Sequence, residues 1–124
     1  MLPELRTSLY TALKTVHDDV YFVEAPANQS LPYFVFSPVT GGVRWDTMHK
    51  DEEQYIQING YGKDLQELEG IKEEIRSLLD NHPDAIDLDT PFRVYDITEQ
   101  VNRAAKLGEI WQFTLQFKIT IQKS

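Results

Sequence analysis

The sequence predicts an α+β domain in two layers: an antiparallel or mixed sheet of about five strands with two packed helices, in the order α-β-β-β-α-β-β. Three observations carry this. Residues 110–122 alternate with period two: Trp111, Phe113, Leu115, Phe117, Ile119 and Ile121 fall on one face, and Gln112, Thr114, Gln116, Lys118, Thr120 and Gln122 on the other. Strand side chains point to opposite faces in turn, so this is a strand covered on one side only. Leu65, Leu68, Ile71, Ile75, Leu78 and Leu79 instead recur at helical spacing, after an Asp64-x-x-Glu67 capping pattern. The chain of 124 residues, 41% hydrophobic, suits one domain over residues 1–124 with its own core.

The remaining elements follow in order. Leu2, Leu5, Leu9, Ala12, Leu13 and Val16 mark a first helix, with Pro3 suited to its first turn and an end near His17. Residues 20–25 are a short strand stopped by Pro26, and residues 27–31 a polar loop. Residues 33–39 are a second strand, in which Pro38 removes a ladder donor and marks an edge or a bulge. Gly41 and Gly42 favour a bulge, after which residues 43–45 continue the strand. Residues 46–53 read as a polar hairpin tip, and residues 54–61 alternate again as a third strand. The second helix ends at Asn81 and Pro83, followed by an acidic loop over residues 84–90. Residues 92–97 form a fourth strand, and residues 98–108 a long hairpin loop or bent continuation leading into residues 110–122.

The last strand is long for its domain. Thirteen residues at about 3.3 Å each span about 40 Å, whereas a compact domain of this size is about 35 Å across. The strand must bend, carry a bulge, or reach beyond its own domain.

Composition narrows the function classes. There is no cysteine, hence no disulfide framework and no thiolate metal site. The first residues lack the basic start and apolar run of a signal peptide, and no apolar run approaches the roughly 20 residues of a membrane-spanning helix. A reducing cytoplasm is the expected setting, and the Asn28-Gln29-Ser30 glycosylation pattern a chance match. The formal net charge of −8 argues against a general nucleic-acid binder, which needs a basic footprint. It is compatible with a surface past which nucleic acid slides.

No catalytic constellation stands out. His17, His49 and His82 lie in three separate segments without metal-ligand spacing. No serine sits in a G-x-S-x-G turn. Gly60-Tyr61-Gly62 lacks the third glycine of a dinucleotide fingerprint, and Asp64 and Glu67 would repel a phosphate at the helix start that follows; these glycines read as a strand-to-helix turn. The paired carboxylates read as solvated charge. The expectation is a protein that is not an enzyme and has neither cofactor nor metal.

The chain resembles the tail-completion or head–tail joining proteins, including tail terminators, of long-tailed phages and prophages. The resembling segments are LYTAL at residues 9–13, VYFVEAP at 20–26, LPYFVFS at 31–37, QYIQINGYG at 54–62, the helix DLQELEGIKEEIRSLL at 64–79, and the final long strand. They cover most of the chain in order, and the Leu31-Pro32-Tyr33 run is the most telling. Residues 98–108 depart from the pattern, being more apolar and more helix-tolerant than a simple charged turn. The resemblance implies a structural, non-enzymatic ring, often a hexamer, at the head-proximal end of the tail. Such rings end tube polymerisation and join the tail to the head connector, with DNA crossing the channel. The implied partners are further copies of the chain, the tail tube protein and the connector protein, without a membrane. The implied location is the host cytoplasm during assembly and the virion tail afterwards. A second reading is a small cytoplasmic α+β adaptor or ligand-binding module, monomeric or dimeric, which a mass measurement in solution separates from a ring.

Two segments are the expected contact regions. Trp45 and Met48 near the first, and Val101, Arg103 and Leu107 in the second, are candidate contacts to neighbouring subunits or the next tail component. Asp51, Glu52 and Glu53 are candidate channel-facing acids that keep DNA from adhering.

Overall fold

A computed structural model describes residues 3–39, 44–46, 51–89 and 91–123. Along the chain these form α1 (Pro3–Lys14), β1 (Val20–Phe22), β2 (Tyr33–Pro38), β3 (Arg44–Asp46), β4 (Asp51–Gly62), α2 (Leu65–Leu79), a 3-10 turn (Pro83–Ala85), β5 (Phe92–Leu107) and β6 (Ile110–Lys123). The strands make one sheet in the order β1-β2-β4-β6-β5, with β3 also paired to β4. β1 runs parallel to β2, and the other pairings are antiparallel, so the sheet is mixed. The α+β class and its two helices are as the sequence predicts.

The apolar stripes explain the layers. Phe113, Leu115, Phe117, Ile119 and Ile121 of β6 and Ile56 and Ile58 of β4 are buried with Leu68, Ile75 and Leu79 of α2 in one cluster, which Leu5, Leu9 and Leu13 of α1 complete. Ile71 and Trp111 pack against it partly buried. Asp64 starts α2 by accepting a hydrogen bond from the Gln66 amide at 3.0 Å. Lys72 is buried on this helix and reaches Glu69 at 2.9 Å; its long stem can lie along apolar surface while its charge is paired.

Several boundaries differ from the sequence reading, each for a local reason. β1 stops at Phe22 rather than Ala25 because Val23 turns at φ 69° and the Glu24 amide closes back on the Phe22 carbonyl at 2.8 Å. A β-branched residue in that region costs about 1–3 kcal/mol. Pro38 ends β2 where β1 no longer reaches, so its missing N–H deprives no strand of a partner. β3 resumes pairing on the same side of β4: Pro38 faces Ile56 and Arg44 faces Glu53. The expected bulge residues Gly41 and Gly42 lie outside the described residues.

Two expected loops are strand instead. The supposed tip at residues 46–53 yields to β4 from Asp51 onward, because Asp51, Glu52 and Glu53 pair with both β3 and β6. The supposed loop at residues 98–108 is the second half of β5, paired with β6 as far as Leu107 opposite Ile110. Gly108, at φ 61°, and Glu109 close the hairpin in two residues. Such turns need positive φ to follow the twist of the strands.

β6 does not project from the domain. β4 and β5 flank it along its length, so it offers no free edge. β5 instead adapts through irregularities between Val94 and Asp96 and between Glu99 and Val101. Gly60 is likewise not a turn residue: it sits in β4 opposite Phe113, and a Cβ there would meet the phenyl ring at 2.0 Å.

Candidate functional site

β5 is a sheet edge whose two halves are finished differently. In the first half, Val94 and Ile97 are buried. The outer side of the strand is then closed by the end of α2. The Asn81 amide donates to the Ile97 carbonyl at 2.9 Å, and the Glu99 amide donates to Asp80 Oδ1 at 3.0 Å. Arg76 grips Glu99 through Nε at 2.5 Å and Nη2 at 3.2 Å, and also bonds Glu73. These carboxylates hold the Arg76 guanidinium above its ordinary pKa.

Past Glu99 these ties end. Residues 102–107 are exposed, and Val101 is half-buried. The strand continues on its β6 pairing alone, and an unpaired sheet edge is a template for another chain. On the face turned from the helices lie Val101, Arg103 and Ala105, opposite Gln116, Thr114 and Gln112. Leu107, 48% exposed, closes this row. On the other face, Lys106 stands over the Trp111 ring at 5.6 Å.

The helix-free sheet face continues from this row as a band of neutral polar side chains. Gln116 Nε2 donates to Gln57 Oε1 at 2.8 Å, and Thr114 Oγ1 to Asn59 Oδ1 at 2.8 Å. The Tyr33 and Tyr61 rings lie 5.2 Å apart beyond it. Burial, and secondarily Tyr33, push the Tyr61 phenol up. These side chains are neutral and bonded to one another, and Lys118 adds a charge on the same face two residues beyond Gln116.

The sequence-derived contact candidates separate here. Val101, Arg103 and Leu107 are brought onto one row of β5. Trp45 belongs to β3 and pairs with Glu52, toward the opposite end of β4. Met48 lies outside the described residues. Glu52 and Glu53 do not form one patch, because successive strand residues face opposite ways. Glu52 is buried on the helix side with one carboxylate oxygen unpartnered, and burial pushes its carboxyl up. It is thus no part of the subunit's exposed acidic surface. Glu53 is half-exposed and accepts a bond from Tyr55 at 3.3 Å.

Sequence reasoning missed the closure of β5 by Asp80, Asn81 and Arg76, which no periodicity reports. It also missed Gln54, fully buried beside Glu52 with both amide atoms unpartnered. Of the histidines, His17 lies 3.0 Å from the Pro32 carbonyl and His82 2.7 Å from that of Asp80, while His49 is outside the described residues. Among the described residues, no group of three or more His, Cys, Asp or Glu side chains is placed to hold a metal. Nor is any described helix long and apolar enough to cross a membrane.

No family model matches the chain, and no curated protein matches it. Solved structures do. One chain, from the virion of a native gene transfer agent particle, superposes with a TM-score of 0.76 at 12% identity, over 95% of this chain and 94% of that one. A second solved structure superposes with a TM-score of 0.59 at 11% identity, over 98% and 94%. The chain therefore shares a fold, end to end, with a component of a gene transfer agent virion.

Proposed function

We propose that the protein is a structural, non-enzymatic component of a phage-like particle that assembles with its own copies into a ring at the head-proximal end of a tail. There it ends tube polymerisation and joins the tube to the head connector, while DNA crosses the channel without being bound specifically. The observation that carries this reading is the fold shared over nearly the full length of both chains with the gene transfer agent virion chain. The open half of β5 supports assembly, because Val101, Arg103 and Leu107 stand on an edge that no other described element closes. The excess of 20 acidic over 12 basic residues suits a channel that gives phosphates nothing to hold.

Light scattering over a concentration series, followed by negative-stain imaging of the concentrated protein, tests the proposal. Closed rings of uniform diameter are expected. A monomer at every concentration that also fails to bind isolated tail tubes overturns it.

A further inference from the structure

The open half of β5 carries positive charge in an acidic chain. The chain carries net charge −8, yet residues 100–107 contain Arg103 and Lys106 and no acid. Both side chains belong to exposed residues. This charge argues against a two-fold pairing of the arm with itself, since an antiparallel self-pairing would bring the cations of two copies together. It favours a different, acidic surface on the next molecule.

Such a surface lies at the other end of the fold. Asp84 in the 3-10 turn and Asp87 and Asp89 between that turn and β5 are all exposed. Asp87 and Asp89 line a cleft of about 370 Å³ with Glu4, Thr7 and Ser8 of α1, and no lysine or arginine is among its lining residues. The acids stand on fixed backbone: Ser8 Oγ donates to the Asp87 carbonyl, the Phe92 amide donates to the Asp89 carbonyl at 2.9 Å, and Ile86 between them is buried. Phe92 and Arg103 are separated by eleven steps of β5, about 35 Å of strand, so arm and cleft cannot meet within one molecule.

We infer that the β5 arm of one copy docks on the cleft beside α1 of the next, its Arg103 and Lys106, which stand on opposite faces of the strand, bringing positive charge to Asp87, Asp89 and Glu4. A contact between unlike surfaces is heterologous, and its repetition closes a ring or extends a filament. The inference rests on the ring reading and names the two surfaces that would build it. The contact is salt-sensitive, because it pairs charges at an exposed rim.

The test is a charge swap, read by sedimentation and imaging under conditions in which the wild-type protein assembles. Arg103→Glu with Lys106→Glu gives an arm-reversed protein; Asp87→Lys with Asp89→Lys gives a cleft-reversed one. All four side chains are exposed, so the unfolding midpoint should stay near wild type in each. Each reversed protein alone is expected to associate at least about tenfold more weakly than wild type. Mixed together they should assemble, since each then meets an opposite charge, and the protein carrying all four changes should assemble by itself. Reversed proteins that assemble as well as wild type overturn this contact and leave the ring standing. Loss of assembly without rescue in the mixture also overturns it, and directs the arm to a tail component or to nucleic acid. A wild-type chain that never assembles overturns the ring reading itself.

Discussion

β5 is one strand with one ladder partner and two environments. From Phe92 to Glu99 it buries Val94 and Ile97 and is fastened on its outer side by Asp80, Asn81 and Arg76. Beyond Glu99 it keeps its bonds to β6 but loses both cover and fastening. Ladder hydrogen bonds therefore set where a strand runs, while its contribution to stability depends on what covers it. The first half holds the fold together. The second is exposed and adds little to the core.

Substitutions can widen or abolish this contrast. Ile97→Ala should cost about 2–5 kcal/mol in urea unfolding, against a change within about 0.5 kcal/mol for Asn102→Ala; equal costs would erase the distinction. Gly60→Ala should cost about 1–3 kcal/mol, because the Phe113 ring lies over Gly60 of β4. An unchanged midpoint would mean the ring is free to move toward Ala104 and shelter the open half. Glu99→Gln should cost about 1 kcal/mol, by weakening the Arg76 grip at the junction of the halves. Amide exchange in residues 97–101 should then quicken more than in residues 104–107.

The smallest effect is one of pH. Burial raises the Glu52 carboxyl above its ordinary value of 4.5. The folded state thus holds the proton more tightly than the unfolded state, and stability falls as pH rises from about that value through the folded pKa. Glu52→Gln should flatten this fall in thermal melts taken across the window. An unaltered slope would place the titrating group elsewhere.

Burial pattern decides how much of this was legible. Residues 110–122 were readable because one face is buried and the other is wet, and α2 because its stripe and Asp64 agree. Residues 100–107 defeated the same reasoning because burial is what writes alternation into a strand, and here neither face is covered. Gly108 was the available cue, as a turn residue between the halves of a hairpin. Glu52 and Gln54 were misleading in the opposite direction, being polar residues on the covered face. Val101, Arg103 and Leu107, expected in a loop, lie instead on one row of a strand. The arrangement of Asp87, Asp89 and Glu4 around one cleft joins residues remote in sequence and left no trace in spacing.

The two-residue turn at Gly108 and Glu109 also bears on how the chain reaches its fold. β5 and β6 are neighbours in sequence, so their hairpin can close locally, on a timescale of about microseconds. β4 meets β6 only after the chain has looped through α2 and β5, as Gly62 opposite Trp111 and Asp51 opposite Gln122 show. Forming those distant pairs carries the larger loop-closure entropy. The hairpin is thus set to form early and then to dock as a unit between β4 and solvent beneath α2. Until it docks, both β4 and β6 present an unpaired backbone edge beside an uncovered apolar face. The moment of greatest exposure to aggregation falls before the sheet is joined at its centre, and it is the docking step, rather than formation of the arm, that ends it.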